Sequence, residues 1–144
     1  MQHPTLDRAG RVAVYLDVSG SMESWLPVLL KALSDHADLL EWPLFGFSTE
    51  VHPLQRHHLA EGRMRSTGGT DIACVSQHLI DHRIGRAVVI TDGDVQQVPA
   101  AHLDSLRRLR PRVDVGLLDG CDGSFCAALG WRVHAIPRLD RAGN

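Results

Sequence analysis

Apolar residues occur along the chain in two kinds of pattern. Residues 11–17 and 86–91 are apolar almost without a break, which is typical of strands that are covered on both faces. Further strands are predicted at 43–48, 51–54, 112–118 and 131–136. Between them, leucines and other apolar residues recur at helical spacing, which predicts helices at 24–40, at 70–82, from Pro99 through Leu109, and at 123–130.

The alternation of strands and helices predicts an α/β fold with a mainly parallel sheet and helices on both faces. The short link between 43–48 and 51–54 makes that pair antiparallel, and Pro53 suits an edge strand. Ser24 is the predicted N-cap of the first helix, and Pro27 is tolerated in its first turn. A chain of 144 residues suits one domain, with a core from about 11 to 136.

Three polar segments lie where a predicted strand meets a helix: "DVSGS" at 17–21, "GGTD" at 68–71 and "TDGD" at 91–94. The strands before the first and third segments are expected to lie side by side at the point where the chain changes direction across the sheet. A crevice forms there, outside the carboxyl ends of the strands. An aspartate that follows a buried strand needs a partner, and a divalent cation between Asp17 and Asp92 would neutralise both acids.

The side chains of these segments are hard oxygen donors, which suit Mg²⁺ or Mn²⁺, and Ca²⁺ less well, rather than Zn²⁺ or copper. Gly20 permits a tight bend, so Ser19 and Ser21 can both turn inward, with Thr70 as a third hydroxyl. If the two acids bind through water, the ion keeps positions that a carboxylate from outside can fill.

In order and separation, "DVSGSM", "GGTD" and "TDGD" resemble the metal-ion-dependent adhesion site of von Willebrand factor type A domains. The family signature is Asp-x-Ser-x-Ser, then a distant Thr and a distant Asp, and it is matched by Asp17, Ser19, Ser21, Thr70 and Asp92. The resemblance implies a Rossmann-like, doubly wound, six-stranded sheet of order 3-2-1-4-5-6 with the third strand antiparallel. It also implies a non-enzymatic, Mg²⁺- or Mn²⁺-dependent module whose protein partner supplies an Asp or Glu to the ion.

The chain departs from extracellular members of that family in its length, because 55–69 leaves little room for a helix. It looks more like the bacterial intracellular branch, whose domains often sit in larger proteins or work beside MoxR-type AAA+ ATPases. The sequence alone fits either a whole protein or one domain of a larger one.

Several neighbours of the signature have two interpretations each. Asp71 and Asp94 either orient waters and hydroxyls around the ion or are solvated acids at helix starts. Trp25, Glu50 and Arg65 either form a rim that contacts the partner or serve ordinary packing and solvation.

Composition narrows the function classes. The formal charge is −2, from 15 Lys and Arg against 17 Asp and Glu. This charge argues against strong electrostatic binding to nucleic acid or to a membrane surface. No apolar run approaches the roughly 20 residues that cross a bilayer, and the polar start has no signal-peptide pattern. Three cysteines, an odd number, favour a reducing cytoplasm over a disulfide framework.

Two other functions are compatible with parts of the pattern. A metal-dependent phosphohydrolase of the haloacid dehalogenase type would use Asp17 as nucleophile, but it needs a second acid where this chain has Ser19. An RNA-protein assembly factor of the Ro type carries a similar domain, but pairs it with a long helical-repeat region that is absent from these 144 residues.

Overall fold

The computed structural model describes residues 12–19, 22, 24–54, 70–93, 95, 97–118 and 123–136. Six strands form one sheet, and each ends close to its predicted boundary. They are β1 (Ala13–Asp17), β2 (Leu44–Phe47), β3 (Val51–Leu54), β4 (Arg86–Thr91), β5 (Arg112–Leu118) and β6 (Arg132–Ile136).

The strand order is β3-β2-β1-β4-β5-β6, and β3 is antiparallel to β2 while the other pairs are parallel. This confirms the predicted α/β architecture, including the position and direction of the third strand. The chain leaves β1 toward β2 on one side and later returns to place β4 on the other side. The carboxyl ends of β1 and β4 therefore meet at the point where the sheet changes direction.

Helices lie on both faces of the sheet. The described residues form three α-helices, α1 (Leu26–Asp35), α2 (Ile72–Asp81) and α3 (Ala100–Leu109), and two 3₁₀ helices, at Ala37–Leu39 and at Ser124–Leu129. The apolar side of α1 packs on one face of the sheet, and α2, α3 and the second 3₁₀ helix pack on the other. Within the described residues, none of the helices is long and apolar enough to span a bilayer.

The start of α1 differs from the prediction, because Ser24 is not its N-cap. The N-cap is Trp25, which makes no side-chain capping bond. The backbone N–H of Trp25 instead donates to the carbonyl of Met22, whose own N–H donates to Ser19. These two turns carry the chain directly from the end of β1 into the helix, so Ser24 lies within a turn.

The end of α1 also differs from the predicted boundary at residue 40. The α-helix stops at Asp35, and Leu40 is already extended, forming an isolated parallel bridge with Val12. The indole N–H of Trp42 donates to the carbonyl of Ala37 at 3.0 Å. The chain must leave the helical axis here because it has to enter β2 beside β1.

One side-chain pair fixes α2 against the sheet. The hydroxyl of Tyr15, a fully buried residue in β1, lies 2.7 Å from Nδ1 of His78 in α2. Phe45 of β2 stacks on Tyr15, with ring centroids 5.3 Å apart, and also contacts the His78 ring. Burial lowers the pKa of His78, so the ring is held neutral in the fold. These contacts set the position of α2, whose first residues follow the "GGTD" segment.

The C-terminus of α2 ends in a residue with a left-handed backbone conformation, which a substitution can test. Arg83 lies in the left-handed region with φ 49°, and the N–H groups of Arg83 and Ile84 donate to the carbonyls of Ile80 and Leu79. This is a Schellman arrangement, in which glycine is the usual residue at the left-handed position. We expect Arg83→Gly to raise the free energy of unfolding by about 0.5 to 1 kcal/mol, since it removes the Cβ strain.

Urea denaturation of the purified protein measures this change. His82→Gly is the matched control, because His82 has an ordinary φ of −101° and gains nothing from glycine. Any loss of stability in Arg83→Gly would contradict the assignment.

Candidate metal site

Asp17 is the last residue of β1 and is fully buried. Its Oδ1 accepts a hydrogen bond from the backbone N–H of Ser19 at 2.9 Å, and its Oδ2 accepts one from the hydroxyl of Thr91 at 2.6 Å. Because Thr91 ends β4, the carboxylate joins the ends of the two central strands. The loop after β1 therefore starts from a fixed point in the crevice.

The pKa of the Asp17 carboxyl group is raised by its surroundings. Burial raises the pKa of Asp17, the hydrogen bonds from Thr91 and Ser19 oppose that rise, and the charge of Asp92 adds to it. Within the part of the chain that the structure describes, no Lys, Arg or His pairs with this carboxylate. A buried carboxylate without a cationic side chain is costly, so a proton or a bound cation would stabilise it.

The loop after β4 places the second acid. Asp92 follows Thr91 directly and is half-buried, and it is close enough for its charge to raise the pKa of Asp17. The N–H of Gly93 donates to the Thr91 hydroxyl at 3.1 Å, and Gly93 has a φ of 86°. Glycine is needed for this turn because other residues rarely adopt that φ. Thr91 thus holds both Asp17 and the loop that carries Asp92.

The start of α2 is tied to the loops that follow β2 and β4. The N–H of Asp71 donates to the carbonyl of Ser48 at 2.8 Å, and the N–H of Ile72 donates to the carbonyl of Val95 at 2.9 Å. Ser48 follows β2, the neighbour of β1, and is fully buried. These bonds hold Thr70, the residue just before Asp71, at the carboxyl end of the sheet. The distant threonine of the signature therefore comes to the edge that carries both acids.

Asp71 has a structural role of its own. Its Oδ1 accepts from the N–H of Ala73 at 3.0 Å, so it is the N-cap of α2, and its water-orienting role stays a prediction. Cys74, one turn into α2, donates its thiol to the carbonyl of Ser48 at 3.7 Å. Burial raises the pKa of Cys74 to about 12, and the charges of Asp71 and then Asp17 add to the rise. The carboxylates at the end of β1 and at the start of α2 therefore both act on this thiol.

The other predicted residues are placed less closely or not at all. Trp25 is half-buried and packs against the apolar cluster under α1. Glu50 lies on the turn between β2 and β3, with its side chain 67% exposed and 3.7 Å from the ring of His52. Ser21, Asp94 and Arg65 lie outside the described residues. The metal-ligand role of Ser21, the water-orienting role of Asp94, and the rim roles of Trp25, Glu50 and Arg65 stay predictions.

The donor set fits a hard dication. Asp17 and Asp92 supply carboxylates, Ser19 and Thr70 supply hydroxyls, and no thiolate or imidazole belongs to the set. Among the described residues, no group of three or more His, Cys, Asp and Glu could hold a metal ion. The predicted site has only two acids and otherwise hydroxyls, so it would not form such a group. The fit therefore rests on the buried carboxylate and on the hydroxyl residues that the fold brings to the same end of the sheet.

Thr91 belongs to the candidate site, but the sequence alone assigned it no role there. It was part of the third polar segment, but the register of the sheet gives it its importance. Leu16 of β1 pairs with Ile90 of β4, so the next residues along, Asp17 and Thr91, lie side by side. A hydroxyl residue at the end of one central strand, opposite an acid at the end of the other, is the signal that could have identified it.

No protein-family model and no curated protein matches the chain. The resemblance to von Willebrand factor type A domains therefore rests on the motif residues and the strand order.

Proposed function

We propose that the chain is a metal-dependent protein-interaction module. In this proposal Asp17, Ser19, Ser21, Thr70 and Asp92 hold one Mg²⁺ or Mn²⁺ ion at the carboxyl end of the sheet. The bound ion would offer a coordination position to the carboxylate of an Asp or Glu on another protein. The observation that carries the proposal is the fully buried Asp17 carboxylate, which is fixed by Thr91 and Ser19 and raised in pKa beside Asp92.

The residues of the chain have separable tasks in this proposal. Asp17 and Asp92 supply negative charge, and both act through water if the ion is to stay electrophilic toward an incoming carboxylate. Ser19 and Thr70 present neutral oxygens. The backbone bonds from Asp71 to Ser48 and from Ile72 to Val95 keep the Thr70 end of α2 in register with the two acids.

The partner class follows from the same site. A coordination position on a hard dication favours an acidic side chain, because carboxylates are the hardest ligands that proteins offer. The resemblance to the bacterial intracellular branch supports a cytoplasmic partner, either a MoxR-type AAA+ ATPase or another part of a larger parent protein.

A retention experiment tests the proposal. The wild-type protein, immobilised and exposed to an extract of the source cells, should retain at least one protein in Mg²⁺ and release it when EDTA is added. Thr70→Ala should fail to retain that protein, because it removes one oxygen donor from the site while leaving α2 capped by Asp71. Replacing single acids of the partner should then identify the carboxylate involved.

The control is Ser34→Ala, which also removes one hydroxyl, since Ser34 is exposed near the C-terminal end of α1, away from the candidate site. A partner that is retained equally in EDTA uses another surface. The lack of any magnesium-dependent partner for a protein that binds Mg²⁺ would contradict the proposed function.

A further inference from the structure

A cavity of about 480 Å³ lies between α3, the second 3₁₀ helix and the start of β6. We call it the arginine groove. Its floor is apolar and is formed by Leu103, Leu106, Leu129 and Trp131. Its rim is cationic and is formed by Arg107 and Arg110.

The arginine groove is at the opposite end of the molecule from the candidate metal site. Arg110 connects α3 to the start of β5, and Trp131 precedes β6, so both lie at the amino ends of their strands. Asp17 and Asp92 follow the carboxyl ends of β1 and β4. A strand of six residues at about 3.3 Å per residue separates the two ends by roughly 20 Å. A ligand in the groove would therefore not touch the metal site.

The floor of the groove can hold an apolar side chain. Leu106 and Trp131 are 4% and 8% exposed, so the cavity reaches down to core residues rather than to a polar surface. Its volume falls within the range of about 300 to 1,000 Å³ that is usual for ligand sites. Filling it with an apolar group would remove the remaining apolar surface from water.

The positive charges on the rim of the groove contribute little to the stability of the fold. Arg107 makes an exposed ion pair with Asp104, with Nη1 and Oδ1 3.6 Å apart, and such pairs contribute little to stability. Within the described residues, the side chain of Arg110 makes no hydrogen bond or ion pair. Two guanidinium groups next to an apolar cavity suit carboxylates, which they bind through two parallel hydrogen bonds.

We propose that the arginine groove binds a short acidic segment of a partner protein. One apolar side chain of the segment would fill the cavity, and acidic residues beside it would pair with Arg107 and Arg110. Nucleic acid fits the groove less well, because its floor is mostly leucine and offers one nearly buried indole for base stacking. The groove would give the molecule a second contact that is independent of the metal ion.

A labelled peptide tests this proposal. The probe is a blocked peptide with one phenylalanine between two pairs of glutamates, and its binding to the full chain is measured by fluorescence anisotropy. We expect saturable binding that is unchanged in EDTA. Arg107→Gln and Arg110→Asn should each weaken it about tenfold, whereas Arg108→Gln should change it less than about twofold. Arg108 is the matched control, because it is exposed on the same turn of α3 but does not line the groove.

The variants are chosen to fold. Arg107 is exposed, and asparagine tolerates the left-handed conformation that Arg110 adopts at φ 53°. Thermal melting of each variant checks this directly. In a Trp25→Phe, Trp42→Phe background, Trp131 is the remaining tryptophan, and its emission should shift when the peptide binds.

Four results would each overturn the proposal. The first is equal affinity for a peptide with alanine in place of phenylalanine, since the cavity would then play no part. The second is an equal effect of Arg107→Gln and Arg108→Gln, which would indicate diffuse attraction. The third is tighter binding of a short oligothymidylate. The fourth is loss of peptide binding in EDTA, which would place the peptide at the metal site.

Discussion

Replacing Asp17 by asparagine should abolish the stabilisation of the protein by Mg²⁺ and should make the metal-free protein more stable. The wild-type carboxylate is fully buried, burial raises its pKa, and the charge of Asp92 adds to the rise. Without an ion, the charged form is therefore destabilised by its surroundings. The asparagine amide removes that charge, keeps an oxygen for the Ser19 N–H, and offers an N–H to the Thr91 hydroxyl. We expect a gain of about 1 to 2 kcal/mol in the metal-free state.

The metal-dependent part of the prediction is larger. When the concentration of free Mg²⁺ is 100 times its dissociation constant, binding stabilises the native state by about 2.7 kcal/mol, provided that the ion does not bind the unfolded chain. Thermal melting of the wild type with and without Mg²⁺ should show this shift, and Asp17→Asn should show none. Calorimetric titration with Mn²⁺ measures the same loss directly.

Asp38→Asn is the matched control for that experiment. Asp38 is an exposed acid on the first 3₁₀ helix, away from the crevice, so its replacement should leave the Mg²⁺ shift unchanged. A full Mg²⁺ shift in Asp17→Asn would place any bound ion elsewhere. A metal-free Asp17→Asn protein less stable than the wild type would mean that the carboxylate is stabilising without an ion.

The sheet was predictable because its strands have strong local signals. A doubly covered strand such as 86–91 must be apolar on both faces, and the short link after Phe47 can only form a hairpin. The strand order was expected from the family resemblance, and the sheet has that order. Local pattern and chain connectivity thus give the same architecture.

The ends of α1 were not predictable from local patterns. Ser24 has the side chain of a good N-cap, but the turns from Ser19 through Met22 fix where the helix begins. At the other end, Leu40 continues the helical spacing, yet its backbone bridges to Val12. Local backbone turns at the start of α1, and a bridge to a residue distant in sequence at its end, outweigh side-chain propensity.

For the candidate site, the sequence indicated which residues come to the carboxyl end of the sheet but not how they are held. Asp17, Thr70 and Asp92 follow from the positions of strand and helix ends. The bond between Asp17 and Thr91 depends on the register of β1 against β4, which the strand patterns do not contain. The same holds for the contact from Asp71 to Ser48, since Ser48 lies on a hairpin turn far away in the sequence.

Thr91→Val should therefore weaken both the fold and the candidate metal site. Valine keeps the shape of threonine but removes the hydroxyl that donates to Oδ2 of Asp17 and accepts from the N–H of Gly93. A buried polar group that loses its partner costs about 1 to 3 kcal/mol, so the free energy of unfolding should fall by that amount. Metal affinity should fall about 10- to 100-fold, the usual effect of removing a residue that orients a metal ligand.

Thr91→Ser separates the hydroxyl from the packing of the methyl group. Serine retains both hydrogen bonds, so its metal affinity should stay within about twofold of the wild type, although the lost methyl group costs about 1 kcal/mol of stability. Urea denaturation and Mn²⁺ titration measure the two effects independently. If serine and valine weaken Mn²⁺ binding equally, packing at Thr91 matters and its hydroxyl does not. If valine binds Mn²⁺ as tightly as threonine, the orientation of Asp17 by Thr91 has no part in holding the ion.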